Sequence, residues 1–322
     1  MKDQDRIWPA LPLEAWIDTC QTLHLWTQVV GKIRAAATPW LNHSWHVVLY
    51  VSDRGLTTSA IPHVSGVFNI EFDFIDHVLW IRTSEGTFRQ VMLKPQSVAR
   101  FYGDVMSALA ELGIAIRISE IPCELESPIA FSEDTTHASY DSEYAHRFWR
   151  ILLQVNRIFS RFRTGFLGKC SPVHFFWGSF DLAVTRFSGR PAPLLSDDSG
   201  PLAAVMREAY SHQVSSAGFW PGGGNIAHAA FYAYAYPQPD GFDSFAVRPA
   251  QTRYNKELGQ FLLPYDVVRL ADDPDSMVME FLQSTYEAAA ILGKWDREAL
   301  ECSLGVPGKP RRLITPAMNG KA

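Results

Sequence analysis

The stretch GKCSPVHFFWGSFDLAVTR, residues 168–186, decides how the chain folds, because it repeats an earlier pattern. The earlier copy, HVVLYVSDRGLTT, begins at His46 and has an apolar run, turn residues and a second run, typical of a β-hairpin. When His46 is aligned with His174, the apolar positions match and Asp53 falls on Asp181. We therefore expect a second hairpin here, with Asp181 in its turn.

Helices are predicted before and after each hairpin region. Apolar side chains recur at spacings of three and four over about 13–34 and 142–163. FYGDVMSALAELG (101–113) then matches FLQSTYEAAAILG (281–293). The alternation in VFNIEFDFI (67–75) is typical of an antiparallel strand with one solvated face. The sequence thus predicts an α+β fold with an internal duplication of a helix–antiparallel sheet–helix unit, its two sheets packed or merged about a pseudo-twofold axis.

The predicted organisation follows these patterns. Residues 1–125 form the first α+β repeat, and 142–300 form the second, which holds an aromatic pocket. Between them, 126–141 is a linker, because it lies in a stretch of prolines, acids and threonines without an apolar period. Residues 301–322 form a disordered tail with breaker residues and few apolar ones.

Composition narrows the classes of partner. The chain has 322 residues and a net charge of −5, so it has no basic field to hold a nucleic-acid backbone. No apolar run reaches the roughly 18 residues of a membrane helix, and the N-terminus lacks the pattern of a signal peptide. The four cysteines include no C-x-x-C pair, which disfavours a zinc knuckle or a redox dithiol. We expect a cytoplasmic protein that binds a small molecule, with no nucleic-acid or membrane partner, and its oligomeric state stays open.

Several long motifs resemble those of a bacterial family that is known only as a domain of unknown function. They are WPALPLEAW, LHLWTQVVGKIR, THASYDSEYAHRFWR, GKCSPVHFFWGSFDLAVTRFSGR and REAYSHQVSSAGFWPGGG. The resemblance covers nearly the whole chain up to about residue 300. It implies a soluble bacterial protein of this length, and it implies no activity and no catalytic residues.

An aromatic pocket is predicted in the second half. The run AFYAYAY (230–236) places Tyr232, Tyr234 and Tyr236 on one face of a strand, where the other half carries charges. Tyrosine offers apolar area and a hydroxyl group, which suits a ligand pocket as well as an interface between the halves. The other predicted substrate-binding residues are aromatic neighbours and one arginine for an anionic group: Trp177, Phe219, Trp220 and Arg186.

Catalytic or metal-binding chemistry is predicted at His174, Glu208 and His212. Glu208 and His212 are four residues apart on a predicted helix near 202–212, which would place them on one face. With His174 they would form a three-ligand site for a divalent metal, Zn or Fe, with an open position. The Glu-x-x-x-His motif is short, and capping or exposed roles are the alternative. A Cys170–His174 pair and a Ser179–His174–Asp181 triad are weaker alternatives.

Three functions remain open at this point. The first is a small-molecule enzyme whose pocket is in the second half, with metal assistance. The second is a non-catalytic binding protein that uses the same cavity. The third is an assembly protein that uses the tyrosine face as a dimer contact. Convergence of His174, Glu208 and His212 would favour the enzyme, and their separation would favour the binding protein.

Overall fold

A computed structural model describes residues 7–194, 203–224 and 226–311. Over these residues the chain forms seven α-helices and two six-stranded antiparallel sheets, so the predicted α+β class is confirmed. The end of the predicted tail, from residue 312, lies outside the described residues. In the described part of the chain, no helix is long and apolar enough to cross a membrane.

The first half consists of a helix, a sheet and a helix. Helix α1 (Ile17–Ala37) precedes the sheet and helix α2 (Val98–Glu111) follows it. The strands are β1 (Tyr50–Val51), β2 (Gly55–Thr57), β3 (Ile61–His63), β4 (Gly66–Asp73), β5 (Val78–Thr83) and β6 (Phe88–Met92). Their order is β1-β2-β4-β5-β6, and β3 also pairs with β4. Because β2 and β3 pair with successive parts of β4, they act as one interrupted strand.

The second half repeats this arrangement with additions. The helices are α3 (Ser142–Arg163), α4 (Ala203–Ala209), α5 (Tyr265–Arg269), α6 (Pro274–Leu292) and α7 (Arg297–Leu300). The strands are β7 (His174–Phe176), β8 (Asp181–Pro191), β9 (His212–Trp220), β10 (Ala230–Tyr236), β11 (Arg253–Asn255) and β12 (Gln260–Pro264). Their order is β7-β8-β9-β10-β12-β11, so β11 is an extra edge strand.

The strand orders support the duplication and correct its register. In the first hairpin Val51 pairs with Leu56, and in the second Phe176 pairs with Asp181. Asp181 therefore corresponds to Leu56 and begins a strand, so its predicted place in a turn is wrong. The strand AFYAYAY likewise corresponds by order to β5, and not to the strand predicted at 67–75, because β9 occupies the position of β4.

The two sheets merge edge to edge at the pseudo-twofold axis. The amide N–H of Leu49 donates to the carbonyl oxygen of Phe175 over 2.9 Å. The amide N–H of Phe175 donates to the carbonyl oxygen of Leu49 over 2.7 Å. This reciprocal antiparallel pair joins the outer edge of β1 to that of β7. One hydrophobic cluster includes residues from both halves, so the repeats share a core.

Each face of the second sheet has a distinct role. On β10, Phe231, Ala233 and Ala235 are buried in the core, on the side where α3 and α6 pack against the sheet. The tyrosines of β10 alternate with them and therefore lie on the opposite face, where they are half-buried. That second face carries the candidate site.

Candidate functional site

Strand register places small and hydroxylated residues beside the tyrosines of β10. Tyr232 lies opposite Gly218 of β9, which in turn lies opposite Ala183 of β8. In the next row of this face, Tyr234 lies opposite Ser216, and Ser216 lies opposite Thr185. The Thr185 and Ser216 hydroxyls are 2.9 Å apart. The face is therefore polar, and the Tyr232 side chain lies over the small residue at its centre, Gly218.

Asp181 is the charged group of this face. Its side chain is buried, with only 5% of the residue exposed. The hydroxyl of Ser179 donates to Oδ1 over 2.5 Å, and the hydroxyl of Tyr232 donates to Oδ2. In the described structure no arginine, lysine or histidine forms an ion pair with it. Burial raises the pKa of Asp181, although both hydroxyl donors act to lower it.

Gly218 makes room for the bond between Tyr232 and Asp181. A Cβ atom at position 218 would lie 2.3 Å from the Tyr232 hydroxyl, inside van der Waals contact. Tyr210, which follows α4, extends the cluster, since its hydroxyl lies 3.1 Å from that of Tyr234 and its ring lies 5.0 Å from that of Tyr236. The rings of Tyr232 and Tyr234 stack with their centroids 6.2 Å apart. We call Asp181, Ser179, Tyr210, Tyr232 and Tyr234 the acidic tyrosine cluster.

A second carboxyl group, that of Glu124, is coupled to this cluster. Its Oε1 lies against Gly178, where an added Cβ would be 2.2 Å away. Glu124 as a whole residue is exposed, but its carboxyl group lies against Gly178, and this desolvation, followed by the nearby charge of Asp181, raises the pKa of Glu124 to about 6. Gln28 holds this segment in place through two hydrogen bonds to the backbone of Cys123. Its Nε2 donates to the carbonyl oxygen over 3.0 Å, and its Oε1 accepts from the backbone N–H over 2.9 Å.

The three predicted metal ligands are not brought together. Helix α4 ends at Ala209 and His212 begins β9, so Glu208 and His212 do not share a helical face. His174 pairs with Ala183 on β8, whereas His212 pairs with residue 191 of the same strand. Eight residues of strand separate these positions, which is roughly 25 Å. Among the described residues, no three His, Cys, Asp or Glu side chains are grouped so that they could hold a metal ion.

His174 is buried on the same face of the second sheet as the tyrosines, since it lies opposite Ala183. It is 1% exposed, its ring packs edge-on against Phe176 at 4.5 Å, and neither ring nitrogen has a hydrogen-bond partner in the described structure. Burial, and then the charge of Arg163, lower its pKa to about 3. It does not contact Ser179, which bonds Asp181 instead. Burial also raises the pKa of Cys170, which argues against the alternative of a cysteine nucleophile activated by His174.

Glu208 and His212 lie in a separate polar group near the end of α1. Trp40 donates its indole N–H to Glu208 over 2.5 Å. The His43 ring lies 6.2 Å from that of His212, and its Nε2 is 2.6 Å from the Lys169 ammonium. His46 belongs to the same group, since its ring lies 5.0 Å from that of Trp40.

The other predicted pocket residues divide between three locations. Phe219 is fully buried on the core face and packs on Phe231 at 5.3 Å. Trp177 packs against Gly31 and donates its indole N–H to the carbonyl of residue 47 over 2.7 Å. Trp220 ends β9 beside the glycine turn. Arg186 lies on the face of β8 opposite to Asp181, because the two positions differ by five, an odd number. Of the predicted pocket residues, the three tyrosines share one face of the sheet.

No sequence pattern indicates Tyr210 or Glu124 as a member of the site, and Asp181 enters the sequence-based hypotheses only through the Ser179–His174–Asp181 triad. Asp181 was assigned to a turn by an alignment that is three residues out of register. Glu124 falls in a stretch without periodicity, where no local pattern indicates which side chain turns inward.

The profile of a family of unknown function, DUF5996, matches residues 8–302 of the chain. No curated protein and no solved structure matches the chain.

Proposed function

We propose that this chain, which belongs to the DUF5996 family of unknown function, binds a small organic cation at the acidic tyrosine cluster. This is the non-catalytic form of the small-molecule function expected from the aromatic strand. The separation of His174 from His212 supports it over a metal-assisted enzyme. The tyrosines of this face would supply the ligand's surroundings.

The observation that carries the proposal is the buried, unpaired carboxylate of Asp181. A carboxylate that is taken out of water without a cation costs several kcal/mol unless its surroundings compensate for the charge. Two hydroxyl donors from Ser179 and Tyr232 compensate in part. A bound cation would supply the missing countercharge.

The aromatic groups fit a cation as well. Tyrosine rings attract ammonium groups through their π faces, and this attraction grows when the cation is desolvated. Tyr232 and Tyr234 stack beside the carboxylate, and Tyr210 closes one side with its hydroxyl. Carboxylates and tyrosine rings together are typical of sites for amines and quaternary ammonium groups.

Titration calorimetry tests the proposal with named probes. Tetramethylammonium, ethanolamine and spermidine are the cations, and tert-butanol is the neutral control for shape. We expect at least one cation to bind and the alcohol not to bind. Asp181→Asn should weaken that binding at least tenfold, because the countercharge is lost, whereas Asp243→Asn, at an exposed position of the same half, should not. Absence of binding by all three cations, or equal binding by Asp181→Asn, would overturn the proposal.

The pH dependence of this binding gives a further prediction. The pKa of Glu124 is raised to about 6, so its carboxyl group gains a proton as the pH falls through that value. Cation affinity should therefore decrease between pH 7 and pH 5 in the wild type. Glu124→Gln should remove most of that decrease. Calorimetry at three pH values measures both, and an affinity that is constant over this range would show that Glu124 does not act on the ligand.

A second candidate function is acid–base catalysis on the bound amine. It is favoured by the two coupled carboxyl groups, of which Glu124 titrates near neutral pH. The protein would be incubated with a pool of amine metabolites, and the pool followed by mass spectrometry. A compound that disappears with the wild type but not with Glu124→Gln would support catalysis. An unchanged pool would leave binding alone as the function.

A further inference from the structure

A cavity of about 470 Å³ lies on the other face of the second sheet, between α3, α6 and the segment after α7. Its size is in the range of small-molecule sites. Three arginines line it: Arg161, Arg186 and Arg248. The site is distinct from the acidic tyrosine cluster, because Arg186 and Asp181 lie on opposite faces of β8.

Arg186 is the unusual group of this cavity. It is 2% exposed, yet no carboxylate among the described residues forms an ion pair with it. Its guanidinium lies 3.5 Å from the centroid of Phe162 and 4.4 Å from that of Tyr286, and one Nη donates to the carbonyl of Phe162 over 2.5 Å. The Nε–H group has no acceptor in the described structure. A buried arginine with an unused donor is incomplete without an anion.

The acids near the cavity do not neutralise it. Glu301 is already engaged, since it accepts from Arg297 over 2.5 Å and from the Tyr286 hydroxyl over 3.0 Å. Arg248 lies 3.8 Å from Glu287 and keeps 59% of its side chain exposed. Glu280 is the other acid of the lining. The polar groups Ser276 and Gln283 complete the wall and offer further hydrogen bonds to an oxyanion.

Aromatic packing fixes the arginine in place before any ligand arrives. Phe162, Phe166 and Tyr286 surround the guanidinium, with the Phe166 centroid 5.0 Å away. A fork held in this way loses little freedom when it binds a planar or tetrahedral oxyanion. A Cβ atom added at Gly165 would lie 3.6 Å from one Nη of Arg186. The glycine therefore leaves this side of the guanidinium uncovered.

We propose that this cavity binds a small molecule that carries a carboxylate or phosphate group, with Arg186 as the buried anchor and Arg161 and Arg248 at the entrance. The ligand would supply the acceptors that the guanidinium lacks. Both arginines at the entrance are exposed, so they attract the anion and release it without repacking the core.

Titration calorimetry with inorganic phosphate and with citrate tests this site, and sodium chloride at matched ionic strength and glycerol are the controls. We expect one of the two oxyanions to bind and neither control to bind. The double variant Arg161→Ala/Arg248→Ala should weaken binding at least tenfold, and both positions are exposed enough for the variant to fold. Arg100→Ala, on the exposed face of α2, is the matched control and should bind as the wild type does.

Arg186→Lys tests the anchor itself. Lysine keeps the charge but loses the planar fork, so oxyanion affinity should fall at least tenfold while the organic-cation site stays intact. Circular dichroism would confirm that the variant is folded. Binding of neither phosphate nor citrate by the wild type, or wild-type affinity in the double variant and in Arg186→Lys, would overturn the proposal.

Discussion

Two buried aspartates, one in each half, differ in how their charge is compensated. Asp73 of β4 is 1% exposed and accepts from Nε of Arg54 over 2.5 Å and from the amides of Ile75 and Asp76 over 2.9 and 3.0 Å. Burial would raise its pKa, but these donors outweigh burial, so the pKa is lowered. Asp181 is also buried, but its side-chain donors are hydroxyl groups and not a guanidinium, and burial outweighs its hydrogen bonds, so its pKa is raised.

The difference separates a structural acid from a candidate binding acid. The first sheet uses its acids to hold turns and strands, as Glu71 also does with Arg82 over 2.9 Å. In the second sheet, no cationic side chain among the described residues forms an ion pair with Asp181, and tyrosines lie beside its carboxyl group. Packing alone does not explain a buried acid whose charge destabilises the folded chain, whereas binding of a countercharge does.

Replacement of glycine should show the largest contrast between the halves. An added Cβ at Gly55 would lie 1.8 Å from the backbone oxygen of Phe72, which cannot move without its strand. Gly55→Ala should therefore lower the free energy of unfolding by about 3 kcal/mol. At Gly218 the obstacle is the end of the Tyr232 side chain, which can rotate, so Gly218→Ala should cost about 1 kcal/mol and abolish cation binding. Urea denaturation and calorimetry measure these effects, and equal losses of stability would contradict the contrast.

Acid stability should depend on His174. Its folded-state pKa, about 3, is below the ordinary value of 6.5, so the unfolded chain binds an extra proton between these values. Stability is lost as the pH falls below 6.5, by at most about 1.4 kcal/mol per pH unit from this group. His174→Leu should reduce that slope without loss of either ligand, whereas His228→Leu, at an exposed position, should leave it unchanged. Urea denaturation from pH 7 to pH 4.5 decides this, and loss of ligand binding in His174→Leu would restore His174 as a site residue.

The smallest expected effect concerns the hydroxyl of Tyr232. Tyr232→Phe removes one of the two donors to Asp181, so the pKa of that carboxyl group should rise further. The cost in stability should be about 1 kcal/mol, the usual value of one hydrogen bond. Tyr102→Phe removes a hydroxyl that donates to Glu120 in the first half and should leave Asp181 unchanged. Carbon-13 NMR titration of the aspartate carboxyl groups measures the pKa of Asp181 in both variants and so distinguishes Tyr232→Phe from Tyr102→Phe.

Much of the fold could be predicted from the sequence, because periodicity reports burial directly. The matching helices and the repeated hairpin predicted two similar units, and the structure has them. The register failed because the alignment followed identical residues, whereas the turn length fixes which residues pair. The alternation in IAIRISEI (114–121) is typical of a strand, yet no strand forms there. Ile116 and Ile118 pack against the core, because alternation indicates which side chains are buried and does not provide a neighbouring strand to pair with.

The site was predictable only in part. The tyrosine alternation in β10 is local, so Tyr232, Tyr234 and Tyr236 were placed on the correct face. Glu208 and His212 were misplaced because the helix that was expected to hold both ends at Ala209. Whether a buried acid has a cation partner depends on residues that are distant in sequence, such as Arg54 for Asp73, and no local pattern contains that information.

Asparagine substitution of the two aspartates tests the central claim most directly. Because the folded-state pKa of Asp181 is raised, its charge lowers stability above the ordinary pKa, and Asp181→Asn removes that penalty. Urea denaturation at pH 7 should show a free energy of unfolding equal to or above that of the wild type for Asp181→Asn. Asp73→Asn should lose about 2 kcal/mol, since it removes the buried charge that the Nε of Arg54 and two backbone amides bind. A loss at Asp181→Asn as large as that at Asp73→Asn would show that Asp181 is a structural residue and would contradict the account.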